Sequence, residues 1–129
     1  MDYYHSKILK GTSFDQAIQR VTTELQNEGF GILTEIDVSQ TLKKKLNVDF
    51  SPYKVLGACN PAFAYQALKA ENKIGTMLPC NVIIQQAEKD NIEVSVVDPI
   101  KSMQAVNNEE LGKIATEIRG KLLIVLNRI

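Results

Sequence analysis

Strand-type and helix-type apolar periodicity alternate from Tyr3 to Ile129 without a break, which confines the chain to helices packed on a sheet. Loose alternation marks a strand over Tyr3 to Leu9. Phe14, Ala17, Ile18, Val21 and Leu25 then recur at spacings of three and four, the signature of an amphipathic helix. Thr12 or Ser13 is placed to cap it, and Gly29 to end it. Gly31 to Asp37 reads as a second strand, with Ile32, Thr34 and Ile36 on one face and Leu33, Glu35 and Asp37 on the other. Ser39 can cap a short helix to Leu46, with Leu42 and Leu46 inward. Tyr53 to Ala58 is a third strand.

Asn60-Pro61 opens the next helix, because Asn caps well and Pro is tolerated at the first helical position. Lys73 to Thr76 is a turn. Val82 to Glu88 and Ile92 to Val97 form a hairpin across Asp90-Asn91. Asn107, with Glu110 three residues on, starts the last helix. Leu111, Ile114, Ile118, Leu122, Val125 and Ile129 keep helical spacing to the end, which favours a helix over a strand at 122–126. The element order β-α-β-α-β-α-β-β-α predicts an α+β two-layer sandwich: a mixed sheet of about five strands with helices on one face.

A chain of 129 residues without linker or repeat reads as a single domain, 1–129. Its 15 basic and 15 acidic residues cancel, which leaves no excess charge to neutralise nucleic-acid phosphates. No apolar run is long enough to span a membrane, and no export signal precedes the first strand, so a cytoplasmic protein is expected. Two cysteines, Cys59 and Cys80, are too few for a disulfide scaffold and are expected as thiols.

Two segments mirror each other: Cys59-Asn60-Pro61 and Pro79-Cys80-Asn81. A helix of ten residues covers about 15 Å, and the extended return leg can cover more, so Cys80 can come back beside Cys59. Cys59 also precedes a helix N-terminus, where the dipole favours a thiolate and predicts a lowered pKa. The expected site is a small-molecule pocket in which Asn60 and Asn81 give polar contacts and the thiols polarizable or reactive ones. A thiol enzyme or a sulfur or redox carrier, with Cys59 as nucleophile and Cys80 assisting, is the rival. A purely structural interaction domain is the third reading. A metal held by Cys59 and Cys80 is the weakest, since structural zinc takes four ligands.

Glu35 and Asp37, about 7 Å apart on one strand face, could do acid–base work or simply cap a helix. His5, the only histidine, could face a pocket from the first strand. No catalytic set and no cofactor is assigned, so a binding protein is preferred to an enzyme. The extra apolar residues Leu123 and Ile124 predict a homodimer contact through the C-terminal helix.

Three segments carry a family resemblance: Gly29-Phe30-Gly31-Ile32-Leu33-Thr34-Glu35-Ile36-Asp37-Val38, Leu56-Gly57-Ala58-Cys59-Asn60-Pro61, and Ile74-Gly75-Thr76-Met77-Leu78-Pro79-Cys80-Asn81-Val82. Together, in that order, they resemble the DUF302 family across nearly the whole chain. The resemblance implies an α+β fold of the TATA-binding-protein-like type, often dimeric. It implies no activity and no catalytic residues.

Overall fold

The computed structural model describes residues 2–129. Strand β1 (Tyr4–Lys10) leads to helix α1 (Phe14–Asn27). Ser13 caps α1 through a reciprocal pair: Gln16 N–H donates to Ser13 Oγ, and Ser13 N–H donates to Gln16 Oε1, both at 3.1 Å. Gly29, at φ 86°, takes the left-handed turn that ends the helix. Strand β2 (Gly31–Asp37), helix α2 (Val38–Leu46) and strand β3 (Tyr53–Cys59) follow. Helix α3 (Pro61–Ala70) and a 3₁₀ segment (Asn72–Met77) then lead into the hairpin β4 (Cys80–Gln86) and β5 (Asn91–Val97). A single turn, α4 (Pro99–Ser102), precedes the long helix α5 (Glu109–Arg128).

The five strands stand in the order β1-β5-β4-β3-β2, and every pairing is antiparallel. The expected α+β sandwich is present, but its sheet is not mixed. The reason is connectivity. Strands β1 and β2 run the same way, yet α1 carries the chain across the whole sheet, and three strands lie between them. No parallel pair becomes adjacent.

One sheet face carries the core. Leu56, Val82, Ile84, Ile92, Val94 and Val96 from the three inner strands are at most 1% exposed. Ala17, Val21 and Leu25 of α1 and Leu111, Leu122 and Val125 of α5 close over them. Helix α5 runs unbroken through Gly120, so residues 122–126 are helical. Its packing leaves only part of Leu123 and an exposed Ile124 outward. Its cap is Asn108, not Asn107: Leu111 N–H donates to Asn108 Oδ1, and Asn108 Nδ2 donates to the Ala70 carbonyl, both at 3.0 Å. The second bond ties α5 to the end of α3, and that decides the choice between adjacent asparagines.

Helix α2 departs from its expected packing. It buries no residue, and Leu46 is two-thirds exposed. Its cap is Asp37 rather than Ser39, since Gln40 N–H donates to Asp37 Oδ1 at 3.0 Å.

Strand β2 departs as well. Ile32 pairs with Ala58 but Thr34 with Gly57, so Leu33 is an extra residue, a bulge. Past it the faces exchange. Ile32 shares the helix side with Glu35 and Asp37, while Thr34 and Ile36 turn to the open face. The bulge sits opposite Gly57, where space is short. A Cβ there would overlap Thr34 Oγ1 and stand 2.7 Å from Pro79 Cγ. Gly57→Ala is therefore expected to cost about 1–2 kcal/mol in urea unfolding, an overpacking penalty. An unchanged midpoint would show that Thr34 and Pro79 yield freely.

Candidate ligand pocket

Cys59 is the last residue of β3 and Cys80 the first of β4, with Ala58 paired to Cys80. Both thiols therefore lie at the same end of two neighbouring strands. The 3₁₀ segment and Leu78-Pro79 are the return leg that brings Cys80 there. Under this end, between the sheet, α3 and α5, is a cavity of about 310 Å³. Phe30, Ala58, Phe63, Ala67, Ile114 and Ile118 are among the residues of its wall, with Pro99 and Met103 on the side of α4. The exposed Leu33 and Leu68 also border it. The bulge supplies Leu33, since the extra residue swings its side chain to this rim.

The cavity is almost wholly apolar. Its polar lining is Asn60 and the two thiols. Asn60 occupies the cap position of α3 without capping it; its Nδ2 reaches 3.4 Å to the Glu28 carbonyl and packs against Gly29. It thus fastens the end of α1 to the start of α3. Asn81 does not join the site. Adjacent strand residues point to opposite faces, and with Cys80 turned to the core Asn81 is exposed on the open face.

Electrostatics overturns the expected thiolate. Burial pushes the Cys59 thiol up, not down. Burial, and then the neighbouring Cys59, pushes Cys80 up to about 11. Desolvation disfavours the charged form of both thiols, so both cysteines are protonated at neutral pH. Among the described residues no group of three or more His, Cys, Asp or Glu side chains is placed to hold a metal ion.

The remaining polar candidates are dispersed. Glu35 is exposed on the edge strand near Thr22 and Gln26 of α1. Asp37 is held below the usual carboxylate range by bonds from the Gln40 backbone and the Ser39 hydroxyl, and serves as a cap. His5 lies away from the cavity. Its Nε2 is 2.8 Å from Asp98 Oδ2, and Arg119 Nε donates to the same oxygen at 3.0 Å. Asp98 is 4% exposed, and its other oxygen accepts the backbone N–H groups of Ile100 and Lys101. Burial raises this carboxyl, but the bonds from His5, Arg119, Lys101 and Ile100 together hold it below its ordinary value. Asp98 and Arg119 went unread in the sequence, although Asp-Pro before a short helix is itself a capping signal.

No helix among the described residues is long and apolar enough to cross a membrane. The molecule is an α+β sandwich with an apolar cavity at one end of its sheet. The chain belongs to the DUF302 family, described as "Domain of unknown function DUF302", which matches residues 5–129. A solved structure, the uncharacterized conserved protein DUF302 from Bacillus stearothermophilus, is similar to it at 27% identity and a TM-score of 0.92. The match covers 99% of this chain and 98% of that one. No curated protein matches.

Proposed function

We propose that this chain is a small single-domain cytoplasmic binding protein whose ligand is an apolar molecule seated beside Cys59 and Cys80. The cavity carries this reading: about 310 Å³ of space walled by Phe30, Phe63, Ile114 and Ile118. Its size lies at the lower end of small-molecule pockets, roughly 300–1,000 Å³. It is about twice an engineered apolar cavity of ~150 Å³ that stays dry and takes up benzene. Water gains little in such a space, whereas an apolar ligand gains roughly 25 cal/mol for each Å² it buries. Protonated thiols suit this use, since a thiol is a soft, polarizable surface with a weak donor. Thiol catalysis needs the thiolate, which this setting disfavours.

Calorimetric titration with toluene and with a linear ten-carbon alcohol tests the reading. One site with a negative heat-capacity change is expected. Ala67→Phe, which puts a ring into the space, should weaken it at least tenfold with the fold intact by circular dichroism. Absence of saturable binding for both probes, or equal binding in the variant, would overturn it.

A further inference from the structure

The cluster around Asp98 has an outward side that the pocket does not use. Asp98 accepts four hydrogen bonds, from His5, Arg119 and the backbone of Ile100 and Lys101. That matches the roughly four acceptor positions of a carboxylate, so Asp98 is saturated. Because it is ionised and acceptor-only, His5 must carry its proton on Nε2 toward it. Arg119 spends only Nε on Asp98. Among the described residues its two terminal nitrogens have no bond, nor has Lys101 Nζ. Arg119, Lys101, His5 and Tyr4 line one open cleft of about 390 Å³.

We propose that this cleft binds a small oxyanion, a carboxylate or phosphate group, held by the terminal nitrogens of Arg119 and by Lys101. The guanidinium is already oriented by a buried partner, so its fork is fixed before the ligand arrives. Asp98 already offsets part of the Arg119 charge at 3.0 Å, so Lys101, which has no ion pair among the described residues, supplies the cleft's unpaired cation. Asp2 also lines the cleft and makes no ion pair within 4 Å among the described residues. Its negative charge opposes an anion, so its removal should strengthen binding. The site is independent of the apolar pocket.

His5 lines the cleft and is the only histidine, so its imidazole proton resonances report the site without ambiguity. Inorganic phosphate and acetate are titrated at fixed pH and ionic strength, with chloride as control. Saturable movement of the His5 signals is expected with phosphate, acetate or both, and not with chloride; which of the two binds tighter names the preferred oxyanion. Lys101→Gln removes a side chain without structural bonds and should weaken binding about tenfold. Arg119→Lys, which keeps the charge but not the fork, should weaken it several-fold, and Asp2→Asn should tighten it. Linear movement, an equal response to chloride, or an unchanged affinity in Lys101→Gln would overturn the proposal.

Discussion

Asp98→Ala is expected to lower stability by about 3 kcal/mol, a fall of about 10 °C in Tm for a chain of this length. The carboxylate is nearly fully buried and serves four donors that come from β1, α4 and α5. Removing one member of a buried ion pair typically costs about 3–5 kcal/mol, because the partner is left charged and unpaired. Here the lower end applies. Arg119 and His5 retain side-chain exposures of 39% and 29% and can turn toward water. The N–H groups of Ile100 and Lys101 lose their cap, worth about 1 kcal/mol of the total. Asp98→Asn keeps that cap but sets an amide against two donors, so about 2 kcal/mol should be lost.

The sign of the pH dependence follows from the lowered carboxyl. A depressed folded-state pKa gives stability that is present above the unfolded value, near 3.8, and is lost as pH falls through the folded value. The gap between the native chain and Asp98→Asn, read by urea unfolding, should therefore shrink as pH falls below about 4. A gap that is constant down to pH 2 would mean that the charge on Asp98 contributes nothing.

What could be read from the sequence follows the range of each interaction. Helix α1 was legible because Ser13, its cap, and the stripe Ala17, Val21 and Leu25 all lie within four turns of chain. The length of α5 was legible for the same reason, apart from its cap, which a bond to Ala70, 38 residues away, settled. Antiparallel order was not legible, since nothing local in β1 says that β5 will be its neighbour. The bulge at Leu33 was equally hidden, and it inverted the expected partition of β2. Glu35 and Asp37 still share a face, because both lie beyond it.

The site divides along the same line. That both cysteine segments reach one end of the sheet was an argument about chain length, and the structure places them there. The failure at Asn81 had a local cause. Starting the strand at Val82 left Asn81 free to turn, whereas β4 begins at Cys80 and alternation sends its neighbour away. The Asp98 cluster depends on partners 93 and 21 residues distant, so composition and spacing could not assemble it. The direction of the thiol shifts was misread because a helix N-terminus is visible in sequence and desolvation is not.

That misreading leads to the second large effect, an alkaline loss of stability that belongs to Cys80. Its thiol is raised from 9.0 to about 11 by burial and then by Cys59. A raised pKa on a group that is neutral when protonated makes the folded state hold its proton longer than the unfolded state. Stability is then intact below pH 9 and falls between about 9 and 11. Two units correspond to about 2–3 kcal/mol. Tyrosines and lysines titrate over the same range, so the measurement is a difference. Cys80→Ala lowers stability at neutral pH by emptying a little of the core, but its curve should decline less steeply, and the two should converge toward pH 11. In the same protein at pH 7, both thiols should react slowly with an aromatic disulfide reagent and quickly once urea is added, because the native thiolate fraction is small. Fast reaction of Cys59 in the native chain would restore thiol chemistry to the pocket. Parallel stability curves would show that Cys80 ionises as easily folded as unfolded, and the apolar setting assigned to its thiol would fall with it.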